Sequence, residues 1–118
     1  MVEIEINKFD YSIVENTPCV YRICFNDHYY IGYSCSLEKR IDTHIYILKR
    51  LCKKYSVSPA IKKVYRKLIQ YIETQQFIEV SVEVLFVRSS IQEVKELECI
   101  LLNQNKHCKY SINNVKKK

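Results

Sequence analysis

The chain has 118 residues, of which 47% are apolar and 27% charged, which is enough for one folded domain with its own hydrophobic core over residues 1–118. No apolar run is long enough to cross a bilayer, and the acidic, alternating N-terminus argues against a secretory signal, so we expect an intracellular protein of the cytoplasm or nucleus. The formal net charge of +6 at pH 7 favours an anionic partner. We expect no membrane partner.

Six cysteines are spread along the chain without a Cys-x-x-Cys pair. A disulfide framework needs an oxidising compartment, and nothing in the sequence directs the chain to one. Zinc sites usually contain closely spaced cysteine pairs, so a structural zinc site is not favoured. We therefore expect the cysteines to be mostly small, buried apolar residues.

The first predicted elements form a β-hairpin. Apolar and aromatic residues alternate with period two over Cys19–Phe25, which predicts a strand, and a second strand is predicted over Tyr29–Tyr33. Residues 26–28 between them contain Asn and Asp, which tolerate the backbone angles of tight turns.

Two helices are predicted after the hairpin. The first begins near Ser34 or Ser36, and its apolar residues recur at helical spacing; they are Leu37, Ile41, Ile45 and Leu48. The second begins at Ser58-Pro59, a capping residue followed by proline at the first helical position. The residues predicted to be buried in it are Ile61, Val64, Tyr65, Leu68 and Ile72.

One more strand and one more helix complete the chain. Alternation over Ile78–Val87 predicts the strand, and Ser90 with Glu93 forms the capping-box pattern that begins a helix. The element order β-β-α-α-β-α predicts an α+β fold in which a small three-stranded antiparallel sheet is flanked by helices.

The single glycine of the chain, Gly32, follows Tyr30 at the end of the second predicted strand. A glycine in a strand marks a bend, or a close approach of backbone or ligand, and both interpretations stay open. Arg40 and His44 lie one helical turn apart at the edge of the first apolar stripe. Each alone is usually a surface residue, but an arginine there can bind phosphate oxygens with two parallel hydrogen bonds.

The last helix contains three glutamates, and a helical-wheel count separates them. Glu93 and Glu96 fall outside the apolar arc, whereas Glu98 falls inside it; the arc consists of Ile91, Val94, Leu97, Leu101 and Leu102. A carboxylate on a buried face is unfavourable unless it is paired or binds a metal ion. Two interpretations stay open, a structural salt bridge with a residue such as Arg40 or a ligand for a hard divalent cation.

Basic residues are concentrated between residues 38 and 67, which contain ten Lys and Arg against two acidic residues. Spacings of four residues place them on one face of each predicted helix and predict two stripes that bind nucleic-acid backbone. The stripe residues are Lys49, Arg50, Lys53, Lys54, Lys62, Lys63, Arg66 and Lys67. The alternative is a solvated helix face without a partner.

The chain resembles the GIY-YIG nuclease family. The first motif reads Cys19-Val20-Tyr21, with Cys19 at the family's first glycine, and the second reads Tyr30-Ile31-Gly32. The resemblance covers residues from about 17 to 114, leaves a basic tail at 115–118, and implies the element order given above.

The resemblance also implies a set of site residues. Its catalytic residues are Tyr21, Tyr30, Arg40, His44 and Glu98, and Gly32 and Asn113 support them. In the family a glutamate on a later helix, followed by apolar residues, is the sole protein ligand of Mg²⁺, or Mn²⁺ in its place; Glu98 matches this position. Asn113 or Asn114 matches an asparagine that the family often has beyond that helix.

The expected function is a divalent-metal-dependent endonuclease that hydrolyses DNA phosphodiester bonds, structure-specific or nicking, in repair, recombination, restriction or the processing of mobile or viral genomes. Tyr21 or Tyr30 would accept the proton of the attacking water, after Arg40 and the metal lower its pKa. One site per chain would nick DNA, and paired cuts would need a homodimer. The alternatives are a catalytically inactive nucleic-acid-binding module of the same fold and an unrelated α+β interaction protein.

Overall fold

A computed structural model describes residues 2–113, so Asn114 and the predicted basic tail at 115–118 lie outside the described residues. The strands are β1 (Glu3–Ile6), β2 (Cys19–Phe25), β3 (His28–Ser34) and β4 (Phe77–Val87). The helices are α1 (Leu37–Cys52), α2 (Pro59–Val64), α3 (Arg66–Ile72) and α4 (Ile91–Asn105), with a short 3₁₀ turn at Tyr11–Val14. The predicted α+β class is confirmed.

The sheet is larger than predicted. Strands β2, β3 and β4 form the predicted antiparallel part, but β1 adds a fourth strand, which pairs parallel with β4 and makes the sheet mixed, in the order β1-β4-β2-β3. The alternating residues Glu3–Ile6 are too few to distinguish a strand from a loop by pattern alone. They become a strand because the free edge of β4, far along the chain, supplies their backbone partners.

The hairpin is confirmed, and its second strand is one residue longer at each end than predicted. Phe25 pairs with His28, so Asn26 and Asp27 form a two-residue turn, and Asn26 has a φ of 58°. The Asn26 side chain also binds the neighbouring strand, because its Oδ1 accepts from the Glu79 amide at 2.8 Å.

The second predicted helix is divided in two. Ser58 caps α2 as predicted, since its Oγ accepts from the amide of Ile61 at 3.2 Å. Tyr65, with φ −102° and ψ 18°, leaves helical geometry and separates α2 from α3. Val64 is therefore exposed, contrary to prediction, whereas Tyr65 is buried.

Helices cover both faces of the sheet. Tyr21 and Phe25 of β2 belong to the larger core cluster, which also includes residues of α1 and α3. On the opposite face, Val20 and Ile31 pack with Val94 of α4. The end of β3 that contains Gly32 is consequently approached by α1 from one side and by α4 from the other.

The cysteines are all free thiols. Only Cys19 and Cys52 are buried, while Cys35 and Cys99 are exposed, so the expectation that most of them are core residues is wrong. Within residues 2–113, no helix has the length and apolar character needed to span a membrane.

Candidate active site

The chain's single glycine is explained by a close approach of a tyrosine. Tyr21 and Gly32 face each other across β2 and β3. A Cβ atom at residue 32 would lie 2.5 Å from the Tyr21 hydroxyl oxygen and 2.7 Å from its Cζ. Gly32 does not have a positive φ, so the space for the phenol, and not a bend, requires glycine here.

The phenol of Tyr21 forms a hydrogen bond with a buried histidine. The Tyr21 hydroxyl lies 2.8 Å from His44 Nε2, and the hydroxyl of Tyr65 lies 2.7 Å from His44 Nδ1. His44 is only 3% exposed. Burial, with a smaller contribution from the charge of Arg40, lowers the pKa of His44 to about 4. The imidazole is therefore neutral at pH 7, and one phenol donates to it while the other accepts from it.

The sequence predicts His44 at the rim of α1 and Tyr65 only as a core residue. In the structure His44 lies in the buried face, three residues after Ile41 and four before Leu48. The spacing of three and four residues from Ile41 and Leu48 was visible in the sequence and indicates the buried face of the helix. A buried phenol usually needs a hydrogen-bond partner, so the predicted burial of Tyr65 was itself a signal for a buried polar partner such as His44.

Tyr30 is the more accessible of the two predicted tyrosines. Its ring centre lies 4.9 Å from that of His44 and 6.4 Å from that of Tyr65. The side chain is partly exposed, and its hydroxyl forms no hydrogen bond within residues 2–113. Tyr21, by contrast, is buried and bonded to His44.

The pKa of both predicted tyrosines is raised. Burial raises the pKa of Tyr21 and of Tyr30, and in Tyr30 the nearby charge of Glu98 raises it further. The charge of Arg40 lowers both values but does not outweigh burial. Arg40 acts in the expected direction, yet the protein by itself does not lower the pKa of either phenol.

Arg40 and Glu98 approach the same place from α1 and α4. Arg40 is exposed, and its guanidinium makes no hydrogen bond or ion pair with another residue in 2–113. Glu98 is half-buried; burial raises its pKa, and hydrogen bonding from the Tyr33 backbone and the charges of Arg40 and Lys95 oppose this. Since Arg40 and Glu98 form no salt bridge, the structural ion pair left open above has no direct contact.

The carboxylate of Glu98 suits a metal that is shared with a substrate. No group of three or more His, Cys, Asp and Glu side chains that could hold a metal occurs within 2–113. Mg²⁺, however, is often bound by only one or two carboxylates, with water and substrate phosphate as its other ligands. Burial leaves the negative charge of Glu98 poorly compensated, so a cation held jointly with a phosphate group fits this position.

Asn113 supports the strand that contains Gly32. Its Oδ1 accepts from the Ile31 amide at 2.9 Å, and its Nδ2 donates to the Ile31 carbonyl at 2.8 Å. The buried side chain thus supplies the hydrogen bonds that another strand would supply to the edge of β3. Asn113 thereby fixes the backbone between Tyr30 and Gly32.

The basic residues do not form two regular stripes. The break at Tyr65 interrupts the predicted pairing of Lys62 with Arg66 and of Lys63 with Lys67. Lys67 donates to the Asn113 carbonyl at 3.3 Å. Residues of both predicted stripes instead line one groove of about 1090 Å³ beside the end of α1 and along α2 and α3; they are Lys54, Lys62, Lys63 and Arg66.

No protein-family model, curated protein or solved structure matches the chain. The family suggested by the two tyrosine motifs therefore stays a proposal, and the geometry of the site has to carry the functional argument.

Proposed function

We propose that the chain is a divalent-metal-dependent endonuclease of the GIY-YIG type that hydrolyses DNA phosphodiester bonds inside cells. The observation that carries the proposal is the convergence of the five motif residues from four elements. Hydrogen bonds, ring contacts or charge effects connect each of them to another of the set: Tyr21, Tyr30, Arg40, His44 and Glu98.

Arg40 binds the phosphate. Its guanidinium side chain is exposed and has no hydrogen-bond or ion-pair partner within residues 2–113, so binding a phosphate does not require breaking an ion pair there. Two parallel hydrogen bonds orient the phosphate, and the fixed positive charge stabilises the negative charge that builds up in the transition state.

Tyr30 is the tyrosine that interacts with the attacking water. Its side chain is partly exposed and its hydroxyl has no hydrogen-bond partner within residues 2–113, whereas the hydroxyl of Tyr21 is bonded to His44. Tyr21 and His44 are bonded to each other in their neutral forms. Tyr30, once its hydroxyl is ionised, accepts the proton of the attacking water. A divalent cation bound by Glu98 would polarise the phosphate and add positive charge beside this phenol. Because the Tyr30 pKa is raised, cleavage should become faster as the pH rises above 7.

The test is incubation with supercoiled, nicked and branched DNA, with and without Mg²⁺ or Mn²⁺. Cleavage by the wild type and its loss in Glu98→Ala, with DNA binding retained, would support the proposal. Glu96→Ala is the matched control, because Glu96 is an exposed glutamate on the same helix. A Glu98→Ala variant that cleaves at the wild-type rate would show that the metal assignment is wrong.

The second candidate is a catalytically inactive nucleic-acid-binding module of the same fold. The raised pKa of Tyr21 and of Tyr30 favours it, because neither phenol is an effective base at pH 7 without additional positive charge. DNA binding that weakens with salt, without turnover in either metal, would support this module and contradict the nuclease.

A further inference from the structure

An exposed stack of aromatic rings and an arginine lies on the outer face of α1, apart from the residues of the proposed chemistry. Tyr46 is 61% exposed and Tyr55 is 54% exposed, which is high for aromatic side chains. The guanidinium carbon of Arg50 lies 5.8 Å from the ring centre of Tyr46 and 5.4 Å from that of Tyr55. We call Tyr46, Arg50 and Tyr55 the aromatic platform.

The backbone at the end of α1 builds this platform. Lys54 has a left-handed φ of 57°, the Lys54 amide donates to the Leu51 carbonyl at 3.1 Å, and the Tyr55 amide donates to the Arg50 carbonyl at 3.0 Å. This chain reversal brings Tyr55 back toward Arg50. Arg50 Nη2 also donates to the Ser56 carbonyl at 2.7 Å, so the guanidinium is held in place before any ligand binds.

Positive charge surrounds the platform. The exposed residues Lys49, Lys53 and Lys54 lie next to it in the chain, and Lys53 Nζ is 5.9 Å from the ring centre of Tyr55. The segment 43–54 contains no acidic residue. Tyr55 and Lys54 also line the basic groove described above, so the positive surface continues from the platform toward α2.

Exposed aromatic rings, an arginine and surrounding lysines suit a nucleic-acid strand whose bases are unpaired. Single-stranded nucleic acid is bound by aromatic faces and guanidinium planes that stack with bases, together with cations that follow the backbone. A duplex offers the same phosphates but keeps its base faces stacked inside. Cation–π contacts are weak at exposed sites. They would stabilise the end of α1, but they do not explain why both tyrosine rings are exposed to solvent.

We propose that the aromatic platform binds the unpaired bases of single-stranded DNA, with Lys49, Lys53 and Lys54 on its backbone. The inference rests on the proposed nuclease function and narrows its substrate to DNA that contains an unpaired segment, such as a flap or a branch. Arg50 lies ten residues after Arg40 on the same helix, which corresponds to about 15 Å along its axis. The platform is therefore displaced from Arg40 by about 15 Å along the axis of α1.

Fluorescence provides a direct test, because the chain contains no tryptophan. A Tyr55→Trp variant has one indole on the platform, and stacking with a base should quench it. We expect saturable quenching by an oligothymidine strand and little quenching by a blunt duplex. Tyr110→Trp is the matched control, because Tyr110 is 36% exposed and also has a lysine, Lys109, 4.9 Å from its ring centre. Equal responses of the two variants would overturn the inference.

Binding by substituted proteins provides the second test. Replacing both Tyr46 and Tyr55 with leucine should weaken binding of the single strand by roughly tenfold or more, since both aromatic faces on which bases stack are removed. Affinity for the blunt duplex should change much less, and Tyr110→Leu should leave both unchanged. Equal losses on both DNAs would reduce the platform to a backbone contact and leave the nuclease proposal intact. Absence of binding to either DNA by the wild type would overturn both proposals, whereas single-strand quenching without any cleavage would support the platform and overturn only the nuclease.

Discussion

The burial of His44 should make this protein less stable in acid. An unfolded histidine has a pKa of about 6.5, whereas burial lowers the pKa of His44 to about 4 in the folded chain. The folded state therefore binds the proton more weakly than the unfolded state does. The stability that depends on neutral His44 is complete above pH 6.5 and is lost as the pH falls through about 4.

The size of this effect follows from the difference between the two pKa values. A lowering to about 4 leaves a gap of about 2.5 pH units, and at about 1.4 kcal/mol for each unit the loss is about 3 kcal/mol between pH 7 and pH 4. Domains of this size are usually stable by about 5–15 kcal/mol, so the loss would be a substantial fraction of the free energy of unfolding.

The assay is urea unfolding of the wild type and of His44→Gln at several pH values from 7 to 4. Glutamine is neutral at every pH and can both donate and accept a hydrogen bond, so it removes the titration while keeping a polar side chain. The wild type should be the more stable protein at pH 7, and its advantage should shrink by about 3 kcal/mol by pH 4.

A second titrating group in the site has the opposite sign, and the comparison removes it. Burial raises the pKa of Glu98, so its contribution favours the folded state as the pH falls. Glu98 is present in both proteins and cancels in the difference between them. If that difference stays constant from pH 7 to pH 4, His44 is not held as a buried neutral imidazole and the reasoning is wrong.

Three other substitutions test separate parts of the site. Gly32→Ala should lower stability by about 1–3 kcal/mol in urea unfolding, because the new Cβ would lie 2.5 Å from the Tyr21 hydroxyl; an unchanged midpoint would contradict the close approach. Arg40→Lys should reduce turnover about a hundredfold in single-turnover cleavage assays, because lysine keeps the charge but loses the planar pair of donors; normal turnover with weaker binding would make Arg40 a positioning contact. Asn113→Ala should destabilise the fold by about 1–3 kcal/mol, because both backbone groups of Ile31 lose their partner; hydrogen exchange at the Ile31 amide would show whether protection is lost there.

The elements that local patterns specify were predicted well from the sequence. Alternation identified Cys19–Phe25 as a strand with the bounds that β2 has, and Ser58 was correctly identified as a cap. The missed features depend on contacts that are distant in the chain. Strand β1 exists through its pairing with β4, and the break at Tyr65 accompanies a hydrogen bond to His44 that no local pattern encodes.

The candidate site was predicted in the same uneven way. Motif spacing selected Gly32, and the structure gives its physical reason in the phenol of Tyr21. The spacing did not indicate how deeply Tyr21 and His44 are buried, and burial decides the direction of both pKa shifts. Sequence position can nominate titratable residues, but their surroundings in the folded protein determine their protonation.

Stability and the proposed chemistry both depend on the neutral form of His44. A protonated imidazole would donate from both nitrogens, so the phenols of Tyr21 and Tyr65 would both have to accept and turn their own protons toward other groups. The Tyr21 hydroxyl is engaged with His44, whereas the Tyr30 hydroxyl has no hydrogen-bond partner within residues 2–113. Acid should end activity by disrupting this buried arrangement, whereas the rise in activity at alkaline pH should follow the ionisation of Tyr30.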